Sequence, residues 1–245
     1  METVNVLGVK FSNVSAEMLE TVLREAVSGE KNVRIVTPNP EIVMAAHKDA
    51  ELMELINSSD LVLKDGVGIK IAEKLKHVEG FERQTGIATL EKILSIADEL
   101  RLKVYFVGAK EATLFKAVDK IKEKYPNLEV VGMHDGYFKE NSEEETKIIA
   151  DINKKKPDIL VAAMGFPKQE KFLALTETPK ISIGCGGSLD VISGNVKRAP
   201  KWMQKAGFEW FYRLIKEPKR IKRQMVIPLF LAKIIFNKKS CFKEG

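Results

Sequence analysis

The feature that most constrains the fold of this chain is the regular alternation of short apolar segments with longer amphipathic ones. The runs VYFV at 104–107 and ILVAAM at 159–164 are apolar at successive positions, so strands built from them must be covered on both faces. Between such runs, apolar residues recur every three or four positions, which is typical of helices. The pattern predicts an α/β fold: a doubly wound, mainly parallel, Rossmann-like sheet with helices on both sides.

The predicted elements follow one another with short loops between them. Asn39 is expected to cap a helix that has Pro40 at its first position and an apolar stripe reaching Ile56. In order, the prediction is strand 4–9, helix 15–28, strand 33–36, helix 40–56, strand 61–63, helices 67–76 and 86–99, strand 103–107, helix 111–124, strand 128–132, helix 142–154, strand 158–163, helix 168–175 and strand 180–184. Ligands of such sheets bind beyond the carboxyl ends of the strands. Six loops are therefore expected on one rim, at residues 37–40, 65–66, 108–110, 135–138, 165–170 and 184–190.

The positive charge of the chain is concentrated in its last fifth. Residues 197–245 contain 14 Lys/Arg and 3 Asp/Glu, a net charge of +11; the whole chain carries +6, so the first 196 residues carry −5. Such a basic segment indicates a polyanionic partner, either a membrane leaflet or a nucleic acid. We therefore predict two parts: an α/β domain at 1–196 and a basic, amphipathic, helical appendage at 197–245.

The appendage combines its charge with apolar and aromatic residues. It places Trp202, Ala206, Trp210 and Leu214 at helical spacing between cations, and the apolar stretch Met225–Phe236 follows. The 12 residues of that stretch are too few to span a bilayer, which takes about 20, but they can lie in the membrane interface. The alternative, a nucleic-acid-binding arm, explains the charge but not the apolar stretch.

The sequence disfavours several classes of protein: secreted, disulfide-bonded, metal-binding and nucleotide-cofactor-dependent ones. The first residues, METVNVLGVKF, have no basic region followed by a long apolar stretch, so no secretory signal is expected and the protein is expected in the cytoplasm. Cys185 and Cys241 cannot form a disulfide framework and are expected to be free thiols. No Cys/His cluster has zinc spacing and no D-x-D pair occurs, so no metal is predicted. The P-loop and dinucleotide fingerprints are missing, which disfavours NTPases and NAD enzymes.

Polar residues on the predicted rim are candidates for catalysis and sugar binding. Asp65 follows a strand and precedes a glycine, so it is a candidate general base, although Asp-Gly is also common in turns and caps. Thr37 and Asn39 could bind an acetamido or hydroxyl group, or Asn39 could act only as a helix cap. Arg83 precedes a helix N-terminus and suits a diphosphate, or it is a solvated surface arginine. Gln169, near a helix start, could meet a sugar or phosphate.

Other rim residues are candidates for nucleoside binding. Gly186 and Gly187 belong to a glycine-rich turn that allows a phosphate or nucleoside to approach the backbone closely. Asp190 could accept hydrogen bonds from a base or ribose, or it is an acid in the first turn of a helix. Tyr137, which follows Gly136, could stack on a base, or it is an aromatic residue at the rim.

Six fragments, taken in their order and spacing, carry the most specific signal in the chain. They are Val36-Thr-Pro-Asn-Pro, Leu63-Lys-Asp-Gly-Val-Gly, Arg83-Gln-Thr-Gly, Met164-Gly-Phe-Pro-Lys-Gln-Glu, Gly187-Ser-Leu-Asp-Val-Ile-Ser-Gly and Lys197-Arg-Ala-Pro-Lys-Trp-Met-Gln-Lys-Ala-Gly-Phe-Glu-Trp-Phe-Tyr-Arg-Leu. Together they resemble the TagA/WecG/CpsF glycosyltransferase family over about residues 4–230. Any one fragment alone would be a weak match.

The resemblance implies a function that composition and spacing do not give. It implies transfer of N-acetylmannosamine from a UDP-sugar donor to undecaprenyl-diphosphate-linked N-acetylglucosamine, with inversion and without a metal or other cofactor. The alternative within the family is a related transferase that uses another UDP-hexose. It also implies that Asp65 deprotonates the acceptor hydroxyl, that Thr37, Asn39 and Gln169 hold the donor sugar, and that Arg83 meets the diphosphate.

The resemblance further implies how the appendage takes part. Arg213, Arg220 and Arg223 are expected to contact the diphosphate of the polyprenyl-linked acceptor at an anionic membrane. The protein is therefore expected to be peripheral on the inner face of the cell membrane, with no nucleic-acid partner, and a homo-oligomer is left open. Cys185 and Leu189 stand where an aliphatic and an aromatic residue are expected, so the nucleoside contacts rest on the weakest part of the match.

Overall fold

A computed structural model of the chain describes residues 1–29, 31–80, 83–197, 199–200, 203, 212, 225–237 and 240–244. Its strands are β1 (Thr3–Val6), β2 (Val9–Ser12), β3 (Val33–Val36), β4 (Leu61–Val62), β5 (Lys103–Gly108), β6 (Glu129–His134), β7 (Ile159–Ala163), β8 (Ile181–Gly184) and β9 (Cys241–Glu244). Strands β3 to β8 form one all-parallel sheet in the order β4-β3-β8-β7-β5-β6. This arrangement confirms the predicted fold class.

Helices cover both faces of the parallel sheet. They are α1 (Ala16–Ser28), α2 (Pro40–Ala46), α3 (Ala50–Asn57), α4 (Val67–Leu75), α5 (Gly86–Leu100), α6 (Glu111–Lys124), α7 (Glu143–Lys155), α8 (Lys168–Ala174), α9 (Ser188–Ile192) and α10 (Val226–Phe236). Along β5, Val104 and Phe106 belong to one apolar core with α1, α5, α6 and α9. Tyr105 and Val107 belong to a second core with α7 and α8. The apolar run in β5 is thus explained by burial on both sides.

The strand predicted at 4–9 is instead a β-hairpin outside the parallel sheet. Leu7 and Gly8 form its turn, with φ of 53° and 100°, and β1 pairs antiparallel with β2. The other edge of β1 pairs antiparallel with β9, so these strands form a separate three-stranded sheet. A two-residue hairpin turn needs such positive φ values, but leucine is not a typical residue there. The apolar Leu7 therefore concealed the turn within an apparently continuous strand.

Helices α2 and α3 replace a single predicted helix. Asp49 is the N-cap of α3, because its Oδ1 accepts hydrogen bonds from the backbone N–H groups of Glu51 and Leu52 at 3.1 and 3.2 Å. Ala46 and Ile56 nevertheless belong to the same apolar core on either side of the break. The apolar stripe therefore continues across the interruption, and its periodicity did not reveal it.

The apolar stretch of the appendage forms α10, which packs against α2 and α4. Phe230 and Ile234 are buried there, whereas Leu229 and Phe236 are 61% and 87% exposed. One side of α10 thus completes a core while another presents apolar side chains outward. Among the described residues, the helices are all too short or too polar to cross a membrane. The boundary at residue 197 stays a prediction, and the described elements beyond it, α10 and β9, pack on the α/β body.

Candidate active site

The loops that follow β4, β3 and β8 meet at one edge of the sheet, because these parallel strands are neighbours. The hydroxyl of Thr37 donates a hydrogen bond to the carbonyl oxygen of Gly184 at 3.1 Å. The backbone N–H of Asp65 donates to the carbonyl oxygen of Pro38 at 3.2 Å. Three of the loops predicted to share a rim are therefore joined directly, at the edge where ligands of such sheets bind.

Asp65 lies half-buried at this edge. Its Oδ1 accepts a hydrogen bond from the backbone N–H of Gly66 at 2.8 Å, and Gly66 has a φ of 81°. A Cβ atom on Gly66 would lie 3.2 Å from Cδ of Pro40, the first residue of α2. The glycine therefore allows the loop after β4 to pack closely against the start of α2. A carboxylate held there can remove a proton from a bound hydroxyl group.

Thr37 and Asn39 fix the loop after β3. Thr37 is 8% exposed, and a Cβ atom on Gly86 would lie 3.0 Å from its Oγ1, so Thr37 links the start of α5 to Gly184. The Oδ1 of Asn39 accepts a hydrogen bond from the N–H of Ile42 at 3.1 Å, which confirms the capping alternative for Asn39. Sugar binding would then use the Thr37 oxygen as an acceptor and the Asn39 amide nitrogen as a donor.

Arg83 lies half-buried on the segment that leads into α5. Two residues later, Thr85 caps α5, because its Oγ1 accepts a hydrogen bond from the N–H of Ala88 at 3.3 Å. The next residue, Gly86, packs against Thr37, so the cap lies at the same edge as the loops described above. A guanidinium group near the positive end of the α5 dipole favours binding of a diphosphate.

Gln169 is 3% exposed, and its side chain joins the rim loop after β7 to the rim loop after β8. Its Oε1 accepts hydrogen bonds from the N–H groups of Gly165 at 3.3 Å and Gly186 at 3.0 Å. Its Nε2 donates to Oε1 of Glu170 at 2.9 Å, and a Cβ atom on Gly184 would lie 2.9 Å from that nitrogen. These contacts take three of the four hydrogen-bonding positions of the amide. One N–H of the Gln169 amide lies outside these contacts.

Glu170, the last residue of the rim loop predicted at 165–170, is a buried acid. It is 3% exposed, and burial raises the pKa of its carboxyl above the usual value of 4.5, while the hydrogen bond from Gln169 opposes that shift. Glu170 is three residues before the buried Leu173 on α8. That spacing places both side chains on one helix face and was the available signal for its burial.

The turn after β8 brings the backbone close to its neighbours. Gly186 has a φ of 49°, and α9 begins directly after Gly187. Cys185 is a buried free thiol, as predicted; it donates to the carbonyl oxygen of Ala162 at 3.5 Å, and burial raises its pKa to about 12. The Cys185 thiol is therefore a packing group, not a nucleophile at neutral pH.

Asp190 lies in the first turn of α9, the helical alternative that its sequence position allowed.

The loop after β6 carries Gly136 and Tyr137. A Cβ atom on Gly136 would lie 2.8 Å from Cγ of Met164, so this loop packs against the one after β7. Lys168 holds it in place: its Nζ donates to the carbonyl oxygen of Gly136 at 2.9 Å and to that of Phe138, and it lies 3.8 Å from the centre of the Phe138 ring. Tyr137 is 70% exposed at the rim, where it can stack on a planar ligand.

The rim loops after β3, β6, β7 and β8 form one connected group. Thr37 reaches the turn after β8, Gln169 joins that turn to the loop after β7, and its neighbour Lys168 holds the loop after β6. Within the described ranges, no three His, Cys, Asp or Glu side chains are grouped so that they could hold a metal ion. Three predicted phosphate contacts lie outside the described residues: Arg213, Arg220 and Arg223.

Comparison with known proteins identifies the family of this chain. Residues 4–243 match the glycosyl transferase WecG/TagA/CpsF family. The chain is similar to N-acetylglucosaminyldiphosphoundecaprenol N-acetyl-beta-D-mannosaminyltransferase of Bacillus subtilis (strain 168), with 38% identity over 209 residues, or 84% of this chain and 80% of that protein. Its similarity to the protein of the same name from Staphylococcus aureus (strain MW2) is 36% identity over 246 residues, or 98% and 95% of the two chains. This chain therefore belongs to the WecG/TagA/CpsF family and is a glycosyltransferase.

Proposed function

We propose that this enzyme transfers N-acetylmannosamine from UDP-N-acetylmannosamine to undecaprenyl-diphosphate-linked N-acetylglucosamine, an early step in making wall teichoic acid. The observation that carries the proposal is the direct joining of the Thr37, Asp65 and Gly184 loops at one edge of the parallel sheet. The similar proteins of Bacillus and Staphylococcus are named for a transfer to this lipid-linked acceptor. Their lengths are largely covered by this chain, which supports extending the activity to it.

In the proposed reaction, Asp65 acts as the general base. Its carboxylate takes the proton of the acceptor hydroxyl as the hydroxyl oxygen forms a bond to the anomeric carbon of the donor sugar. The bond from that carbon to the diphosphate oxygen breaks, and UDP leaves with the bonding electron pair. Attack from the face opposite the leaving group inverts the configuration. Arg83 and the N-terminus of α5 stabilise the negative charge that develops on the diphosphate.

The remaining candidate residues would hold the donor. Thr37, Asn39 and the free N–H of the Gln169 amide would contact the sugar. For the nucleoside, the proposal uses the backbone of the turn after β8 and the loop after β6, whose residues are Gly136, Tyr137, Gly186, Gly187 and Asp190. The close packing of these loops supports a preformed site for the donor.

The acceptor lipid would bring the enzyme to the inner face of the cell membrane. The net charge of +11 on residues 197–245 favours an anionic leaflet by about 1 kcal/mol per basic residue near its surface. The exposed Leu229 and Phe236 of α10 would add apolar contacts. In this proposal Arg213, Arg220 and Arg223 bind the acceptor diphosphate, and nucleic acid is not a partner.

The proposal is tested with a panel of UDP-sugars and a soluble, short-chain analogue of the lipid-diphosphate-GlcNAc acceptor. UDP release should be fastest with UDP-N-acetylmannosamine, and Asp65→Asn should lower turnover roughly 10²–10⁴-fold without unfolding the protein. Asp119→Asn, at an exposed position on α6, is the control and should behave as wild type. Equal rates with other UDP-hexoses would refute the donor, and near-normal turnover of Asp65→Asn would refute the base.

A further inference from the structure

A buried ion pair lies directly behind the proposed base. Lys64 precedes Asp65 in the chain, and its Nζ lies 2.8 Å from Oε1 of Glu73 on α4; the two side chains are 3% and 2% exposed. Nζ of Lys70 lies 3.1 Å from the other carboxylate oxygen of Glu73. Charged side chains are rarely buried to this extent, and desolvation offsets most of what a buried pair contributes to stability. Stability alone is therefore a weak reason for this pair.

The same pair contacts the segment that leads to Arg83. Lys70 donates a hydrogen bond from Nζ to the carbonyl oxygen of Gly80 at 3.1 Å. A Cβ atom on Gly80 would lie 2.5 Å from Oε1 of Glu73 and 2.8 Å from Nζ of Lys64, so Gly80 packs directly on the pair. Arg83 is three residues further along the chain. One cluster of charges thus contacts both the residue before Asp65 and Gly80, three residues before Arg83.

We propose that the Lys64–Glu73 ion pair is a positioning device, which fixes the backbone of Asp65 relative to the segment that carries Arg83. The inference rests on the roles proposed above for Asp65 and Arg83. A base must approach the reacting hydroxyl within hydrogen-bonding distance, and a displacement of about 1 Å can lower a rate about 10²-fold. A buried pair suits this purpose because moving Lys64 away from Glu73 would separate two opposite charges that are buried from solvent.

The surroundings of the pair agree with this role. Burial lowers the pKa of the Lys64 ammonium, and the hydrogen bond to Glu73 opposes that shift. Cys241 of β9 lies beside the pair: burial, with a smaller effect of Glu73, raises its pKa to about 11. Strand β9, which contacts α4, therefore borders the pair.

The test is a double-mutant cycle against Asp65→Asn, measured as transfer of radiolabelled sugar to the soluble acceptor analogue. Lys64→Met combined with Glu73→Leu replaces the pair with apolar side chains of similar size. If the pair positions the base, this change should lower kcat roughly 10–100-fold in the wild-type background and less than about 3-fold when Asp65 is already asparagine. Lys180→Met with Asp158→Asn removes a pair at the opposite edge of the sheet and should leave kcat unchanged.

Gly80→Ala gives a second, milder perturbation if the double variant does not fold. Its Cβ atom would displace the pair without removing it, and its loss of kcat should likewise shrink in the Asp65→Asn background. Equal fold-losses in both backgrounds, or an unchanged kcat, would show a merely structural pair and overturn the positioning role while leaving the proposed function intact. Wild-type turnover of Asp65→Asn alone would instead overturn the assigned base, and the positioning role with it.

Discussion

Replacing Phe230 by alanine should destabilise the whole protein, although Phe230 belongs to the appendage. The side chain is 0% exposed and lies in the same core as Val43 and Ile69, so alanine loses its full burial and leaves a cavity. Such substitutions lower the free energy of unfolding by about 3–5 kcal/mol, against a total of roughly 5–15 kcal/mol for a typical protein. For a chain of this size, the melting temperature should fall by roughly 6–20 °C.

Phe236, on the same helix but 87% exposed, is the matched control. Phe236→Ala should change the free energy of unfolding by less than about 0.5 kcal/mol, yet it should weaken co-sedimentation with anionic vesicles, because an apolar contact with the bilayer is lost. Thermal and urea unfolding followed by circular dichroism measure the first effect, and sedimentation measures the second. If both variants unfold at the same temperature, the packing of α10 on the body is wrong.

Three further predictions concern the site. Thr37→Val should lower the free energy of unfolding by about 1–3 kcal/mol in urea, whereas Thr37→Ser should lower it less, because only valine removes the hydrogen bond to Gly184; equal losses would contradict this. The raised pKa of Glu170 means that its stability contribution is complete below pH 4.5 and is lost as the pH rises through the folded-state value. Glu170→Gln should therefore gain in melting temperature relative to wild type above pH 4.5, and the exposed Glu177→Gln should show no such trend. Sugar transfer should be unchanged by EDTA, and a loss of ten-fold or more that Mg²⁺ restores would refute the metal-free reaction.

The parallel sheet could be predicted because strands that are buried on both faces have apolar residues at successive positions. The three-stranded sheet could not be predicted, because the turn between β1 and β2 was misread and the pairing of β9 left no local sequence pattern. Leu7 continues an apolar run through a turn, and β9 is a four-residue strand that pairs with β1, more than 200 residues away in the chain. Local periodicity carries no information about such a distant pairing. The break at Asp49 was hidden for a similar reason, since the apolar stripe crosses it.

The position of the candidate site followed from the fold, whereas its internal contacts did not. Parallel strands place their following loops at one edge, so Thr37 and Asp65 could be expected to be neighbours. The ion pair behind Asp65 joins Lys64 to Glu73, nine residues later, and no spacing rule relates a strand residue to a buried helical acid. The amide of Gln169 was likewise assigned to a ligand, although the backbone of two loops and the Glu170 carboxylate take three of its four hydrogen-bonding positions.

The pairing of β1 with β9 has a consequence during synthesis. β9 is made after every other described element, about 240 residues later than β1, and ribosomes add roughly 5–20 residues per second. The nascent chain therefore carries β1 with one unpaired edge for roughly 12–48 s, and an open strand edge can pair with another chain. Strand β9 can therefore cover the second edge of β1 only after all the other described elements have been synthesised.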